Sequence, residues 1–272
     1  MIELSPNSPI ILLDDPCKVI CRNEVILKYH EILYNGTVFY LGVCNQIKDH
    51  QFRQQNFEHI FNQPDYWHHL EKKKISGFLK KDQLDRLWEW SLSKILIKEG
   101  ENEFFNNSTT FEFNKIYVES SQNSALRVVH EKSVSSIKEL RFLSITHSSS
   151  QIFTIVAPND IGIDCEYIRN ISPSLKKKML PKDHEKSFLK FFNMFFRLSV
   201  KDIPIVIWSI KESTLKALNF NNIGEIHNIS LLIEDGKIYT THKMRNLKCI
   251  NFFTISNQSI FVISIVVENS EK

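Results

Sequence analysis

The chain of 272 residues contains few of the residues that interrupt or cross-link a fold, with 7 Gly, 8 Pro and 5 Cys. So little glycine and proline excludes a collagen-like chain and long flexible linkers. The cysteines are odd in number and scattered, which favours reduced thiols over a disulfide framework. No apolar run approaches the roughly 20 residues that span a bilayer, and the apolar patch at Ile10–Leu13 is too short for a signal peptide. We therefore expect a cytoplasmic protein with no membrane association.

The chain also has almost no excess of positive or negative charge. The 34 basic and 31 acidic residues leave a net charge of +3, which predicts no general affinity for nucleic acid. The strongest basic runs, Lys72–Lys74 and Lys176–Lys178, are typical of solvated helix faces. With 42% hydrophobic residues, the composition is that of a globular protein, and the length suits two compact units or one large one.

Strand and helix patterns occur in the same order twice, which predicts two α+β halves, 1–145 and 146–272. The first half begins with β-rich segments, continues with helical patterns that include a helix over 82–98, and ends in strands. The predicted strands are Lys18–Leu27, Thr37–Val43, Lys115–Val118 and Leu140–Thr146, with a turn at Asn35-Gly36. In the second half we predict strands Gln151–Ala157, Ile161–Glu166, Ile229–Ile233, Cys249–Ile255 and Ile260–Val267, helices over Ser172–Arg197 and from about Ser209, and a turn at Glu234–Lys237.

The hexapeptide Ile161–Glu166 carries the first chemical signal. Side chains alternate along a strand, so Gly162, Asp164 and Glu166 share one face and the intervening residues point into the core. Two carboxylates beside a glycine predict a site for a hard cation. A solvated strand face with an incidental acidic pair is the alternative.

The segment Trp208–Leu218 carries the second. Ser209 followed by Glu212 has the spacing of a capping box that begins an ordinary helix, and Glu212 with Lys216 would be a surface pair worth about 0.2–0.5 kcal/mol. Placed near the acidic strand, Glu212 would instead supply a third carboxylate and Lys216 an ammonium. Three converging carboxylates need a divalent cation, and Mg²⁺ suits oxygen ligands together with phosphate.

The third segment is Ser144-Ile145-Thr146-His147-Ser148, a strand end that leads into a hydroxyl-rich turn. Taken in order, the three segments resemble the signatures of the 4′-phosphopantetheinyl transferases, and more narrowly the monomeric type that serves nonribosomal peptide and polyketide synthases. Lys132 also falls on the basic residue of the family's Gly-Lys-Pro motif. Lys74 to Phe78 resembles the family's Lys-x-x-x-Phe segment.

The resemblance implies a fold and an activity. The fold is a pseudo-dimer of two similar α+β halves with coenzyme A in the cleft between them. The activity is Mg²⁺-dependent transfer of the 4′-phosphopantetheine arm of coenzyme A to a serine of an apo acyl or peptidyl carrier protein, with release of 3′,5′-ADP. The expected partners are coenzyme A and the carrier, and the chain is expected to be a monomer.

Residue by residue, the resemblance gives Asp164, Glu166 and Glu212 as Mg²⁺ ligands. Glu212 would also act as general base on the carrier serine, and Lys216 would stabilise or protonate the leaving phosphate.

The coenzyme A ligands implied by the resemblance lie upstream. His147, with Ser144 or Thr146, would bind a phosphate of coenzyme A. Lys132 and Lys74 would approach its nucleotide end.

The chain departs from the family pattern at two positions. Glu131-Lys132-Ser133 keeps only the lysine of Gly-Lys-Pro, and the arginine usual at the start of the first-half helix falls on Asp85. These departures favour one rival function, a carrier-binding homologue with weakened catalysis. A second rival, another Mg²⁺-dependent phosphoryl-transfer or phosphohydrolase enzyme, would have a similar carboxylate cluster.

Two further features of the second half stay open from the sequence. The family's additional acidic residue matches either Asp183 or Glu185. The phenylalanines spaced along 188–196 are either core or, in part, a surface for a carrier helix.

Overall fold

The computed structural model describes residues 1–4, 10–11, 16–22, 25–45, 52–53, 56, 60–63, 65–81, 83–105, 112–120, 126–131, 139–148, 151–169, 171–174, 185–196, 198–199, 201–220, 222–242, 245–256 and 259–268. Its α-helices are α1 His69–Lys80, α2 Leu84–Phe105, α3 Glu185–Phe196 and α4 Ile203–Ala217, with 3₁₀ turns at Phe113–Lys115 and Ile223–Asn228. Its strands are β1 Ile2–Glu3, β2 Lys18–Arg22, β3 Val25–Tyr34, β4 Thr37–Asn45, β5 Ile116–Ser120, β6 Leu126–His130, β7 Glu139–His147, β8 Gln151–Ala157, β9 Ile161–Tyr167, β10 Ile229–Glu234, β11 Lys237–His242, β12 Arg245–Ser256 and β13 Ser259–Glu268. The prediction of an α+β protein is confirmed.

The strands form two sheets with a shared order. The first sheet runs β1-β3-β4-β8-β7-β6-β5, with β2 beside β3, and the second runs β10-β11-β12-β13-β9. In each, a four-stranded meander follows a helix, and the last strand of the meander pairs antiparallel with the strand that precedes the helix: β8 with β4, and β13 with β9. The predicted division at residue 145 falls inside β7, and the chain changes sheets between β8 and β9.

The sheets pack face to face, and a helix covers the outer face of each. Alternate residues of both sheets, such as Leu41, Ile155, Ile163 and Phe252, form one buried cluster between them. The other face of the first sheet packs against α2. The other face of the second sheet packs against α4.

The two predicted turns are confirmed by their backbone angles. Asn35 and Gly36 have φ values of 47° and 75°, and Asp235 and Gly236 have values of 50° and 75°. Consecutive positive φ values are those of a tight two-residue hairpin connection. These turns join β3 to β4 and β10 to β11.

Several predicted bounds are wrong. The segment Lys18–Leu27 is two antiparallel strands and not one. The helix predicted over 82–98 extends to Phe105. The helix predicted from about Ser209 begins at Ile203, one residue before Pro204, and proline in the first turn is a common way to begin a helix. Of the helix predicted over Ser172–Arg197, residues 175–184 and 197 lie outside the described part of the chain.

Candidate active site

Strand β9 presents its acidic residues to helix α4. Asp164 is only 2% exposed, so the solvated strand face considered above is wrong. Ile161, Ile163 and Cys165 are buried on the opposite face, between the two sheets, as predicted.

Gly162 lets α4 approach the strand. A Cβ atom at this position would lie 1.8 Å from the carbonyl oxygen of Ser213 and 2.6 Å from the amide nitrogen of Ala217. Both distances are far below van der Waals contact, so no side chain fits. The glycine therefore makes room for the backbone of the helix, and this approach brings Glu212 and Lys216 to Asp164.

Ser209 does not cap a helix. It lies in the middle of α4, is 0% exposed, and its hydroxyl donates to Asp164 Oδ2 at 2.7 Å. The capping-box interpretation of Ser209 and Glu212 is therefore wrong. Glu212 is partly buried one turn further along the helix, at the edge of the site.

Lys216 joins two of the carboxylates. Its Nζ lies 2.9 Å from Asp164 Oδ1 and 3.3 Å from Glu212 Oε1. Burial opposes the charged form of Lys216, but these two carboxylates outweigh burial and raise the pKa of the ammonium. Lys216 is therefore a cation at neutral pH.

Asp164, Glu166 and Glu212 converge as the resemblance implies. One ligand atom from each lies within 4.8 Å of the other two. Burial, then Asp164 and Glu212, raises the pKa of Glu166 to about 7. Burial, then Asp164, also raises the pKa of Glu212. The cluster therefore holds more negative charge than its surroundings favour, and a cation would relieve that repulsion.

This donor set fits a hard divalent cation. Three carboxylates supply oxygen ligands from a strand and a helix, leaving room for further oxygens from water or phosphate, which is how Mg²⁺ is commonly held. Among the residues that the structure describes, this is the one group of three acidic, histidine or cysteine side chains close enough to share an ion.

Ser144 and Thr146 join the two sheets. Strand β9 is the edge of the second sheet, and edge strands leave backbone groups unpaired. The amides of Ile163 and Cys165 donate to Ser144 Oγ at 3.0 Å and to Thr146 Oγ1 at 3.2 Å. Both side chains are buried, and these two hydrogen bonds fix β9 beside β7.

His147 ends strand β7 of the first sheet, Lys74 lies on α1, and both are at the surface. The His147 side chain is 54% exposed, and its Nε2 is 3.2 Å from Glu89 Oε1 on α2. Lys74 is exposed on α1, with Nζ 5.3 Å from the centre of the Trp90 ring. Both positions are accessible to a phosphate.

The remaining predicted residues lie partly outside the described part of the chain. Lys132 and Asp183 lie outside the described residues, and of Glu185 the structure describes the backbone alone. Phe188 and Phe192 are core, in the cluster under α4. Asp85, which stands where the resemblance expects arginine, pairs with Arg53 at the start of α2.

Two clefts flank the carboxylates. One, of about 320 Å³, is lined by Glu166, Glu212, Arg169 and Trp208 together with isoleucines. The other, of about 200 Å³, has Lys216 and Ser144 beside apolar side chains, including Phe220. The sequence indicated neither cleft, because the residues that line each one are distant along the chain.

No family model matches the chain, and no curated protein matches it either. Within the described residues, none of the helices combines the length and the apolar character that crossing a membrane requires.

Proposed function

We propose that this protein transfers the 4′-phosphopantetheine arm of coenzyme A to a serine of an apo carrier protein, with Mg²⁺, and releases 3′,5′-ADP. One observation carries the proposal: Asp164, Glu166 and Glu212 converge within 4.8 Å, and Lys216 contacts two of them. These are the residues to which the resemblance assigns metal binding and catalysis. The shared order of the two sheets supports a pseudo-dimer of two similar halves.

The three carboxylates would hold Mg²⁺ against the pyrophosphate of coenzyme A. The bound ion would neutralise charge on the bridging oxygen as the P–O bond to that oxygen breaks. The carrier serine oxygen forms the new bond to the pantetheine-bearing phosphorus. The departing group is 3′,5′-ADP.

Glu212 and Lys216 have complementary tasks in this reaction. Glu212 lies at the edge of the site, where it can accept the serine proton directly or through a water. Lys216 is cationic and hydrogen-bonded, so it can stabilise the leaving phosphate or protonate it. One of the two clefts is lined by Glu212 and the other by Lys216, so coenzyme A and the carrier serine would approach this pair through them.

The proposal is tested with the full chain, Mg²⁺, coenzyme A and a panel of apo carriers, read by intact mass. We expect at least one carrier to gain the phosphopantetheine arm. Asp164→Asn should abolish the gain. The matched Asp160→Asn should retain it, because Asp160 is not one of the three converging carboxylates and instead accepts a hydrogen bond from Asn219.

No gain with any carrier would contradict the proposal. Cleavage of coenzyme A without an acceptor would instead support the second candidate, another Mg²⁺-dependent phosphoryl-transfer enzyme.

A further inference from the structure

The Asp164 carboxylate is held by groups from two different layers of the fold. Ser209 on α4 donates to Oδ2 at 2.7 Å. Thr146 on β7 donates to Oδ1 at 3.3 Å, and Lys216 donates to the same oxygen at 2.9 Å. A carboxylate has about four lone-pair sites, so these three bonds leave one site, on the oxygen that Ser209 contacts.

The direction of the Ser209 hydroxyl is unusual for a serine inside a helix. Such hydroxyls commonly bond a carbonyl of the preceding turn, as Ser213 and Thr214 do with the carbonyl of Ile210 at 2.9 and 2.8 Å. Ser209 donates across to the strand instead. The helix therefore aims one hydroxyl at the carboxylate and uses its neighbours for its own backbone.

We propose that Ser209 is a positioning residue, which fixes the Asp164 carboxylate so that the remaining lone pair of Oδ2 is available to a divalent cation. The proposal rests on the proposed function, because that function requires a cation at Asp164. A serine that merely compensates for the burial of Asp164 would affect the stability of the fold. A positioning serine also changes the affinity for the cation.

The experiment titrates Mn²⁺, which shares the oxygen preference of Mg²⁺, into the full chain by calorimetry, with and without coenzyme A. Ser209→Ala should weaken Mn²⁺ binding by about 10- to 100-fold, the usual effect of losing a group that orients a ligand. Ser209→Thr keeps the donor and should restore most of the affinity.

Ser213→Ala is the matched control. Ser213 lies on the same helix and is also 0% exposed, but its hydroxyl bonds Ser264 and none of the three carboxylates. It should change the free energy of unfolding but leave the affinity for Mn²⁺ unchanged. If Ser209→Ala does not fold, Ser209→Cys, of similar size but a weaker donor, takes its place in the comparison.

Two outcomes would overturn the proposal. If the wild type binds Mn²⁺ and Ser209→Ala binds it equally well, only the role of Ser209 falls. If the wild type binds no Mn²⁺ under either condition, the metal site of the proposed function falls, and the role of Ser209 with it.

Discussion

Replacing Gly162 by alanine should both destabilise the fold and disable the site. The new Cβ atom would lie 1.8 Å from the carbonyl oxygen of Ser213, so α4 must move by about 1.5 Å to reach van der Waals contact. Overpacking typically costs about 1–3 kcal/mol, and a clash with helix backbone belongs at the upper end. Misplacing a catalytic group by about 1 Å can reduce turnover about 10²-fold.

Two other glycines provide controls. Gly42 occupies the corresponding strand of the first sheet, where a Cβ would meet side-chain atoms of Leu96 and Thr154 at 2.8 and 2.9 Å. Because side chains can move, Gly42→Ala should lower the free energy of unfolding with no loss of Mn²⁺ binding. Gly77 lies within α1 with nothing near its Cβ position, so Gly77→Ala should stabilise the fold by about 0.5–1 kcal/mol.

The assay is urea unfolding of the three variants, combined with Mn²⁺ titration and carrier modification under conditions where each variant is folded. Gly162→Ala with wild-type stability and wild-type turnover would refute the account of how α4 reaches the strand. Equal losses of cation binding in Gly162→Ala and Gly42→Ala would refute the link between this contact and the site.

Four further predictions concern single side chains. Glu212→Gln should lower carrier modification at least about 10²-fold, the scale of general-base catalysis; a mild effect in steady-state kinetics would exclude Glu212 as the base. Because the pKa of Glu166 is raised from 4.5 to about 7, the folded chain binds this proton more tightly than the unfolded chain. Without a divalent cation, the stability contributed by Glu166 should therefore fall as pH rises from about 4.5 to about 7. Urea unfolding across this range should show a shallower decline for Glu166→Gln, and identical slopes would contradict the assignment. His147→Ala should weaken coenzyme A binding roughly ten- to a hundredfold, since a hydrogen bond to a charged group contributes about 1.5–3 kcal/mol. Lys132→Ala should remove the preference for coenzyme A over dephospho-coenzyme A, which lacks the 3′-phosphate. A titration in which that preference persists would show that Lys132 does not bind the 3′-phosphate.

Local patterns were sufficient where a structure depends on near neighbours. The alternation of β9 predicted which residues face the core, and Asn35-Gly36 and Asp235-Gly236 have the φ values that such turns require. These features depend on the chemistry of a few adjacent residues, so the sequence contains them directly.

Local patterns failed where the deciding contact is distant along the chain. Ser209 and Glu212 have capping-box spacing, but α4 has already begun at Ile203. Pro204 was the signal that could have located the start. No local pattern could show that the Ser209 hydroxyl bonds Asp164.

Helix α2 shows the same limit for charge. A lysine is expected to be solvated, yet Lys98 is only 1% exposed. Its Nζ pairs with Glu71 Oε2 at 2.6 Å and also donates to two backbone carbonyls, and these partners permit its burial. Glu101 is 0% exposed and pairs with Arg141 and His130. Buried charges are stable only when paired, and these partners come from elements distant in sequence.

We expect the carboxylate cluster to direct transfer to a protein serine. The most direct measurement counts 3′,5′-ADP released and carrier serines modified in the same reaction, with Mg²⁺ and coenzyme A supplied. We expect one molecule of 3′,5′-ADP for each modified serine, and neither product from Asp164→Asn. Release of 3′,5′-ADP without modification of the carrier, or equal turnover by Asp164→Asn, would contradict it.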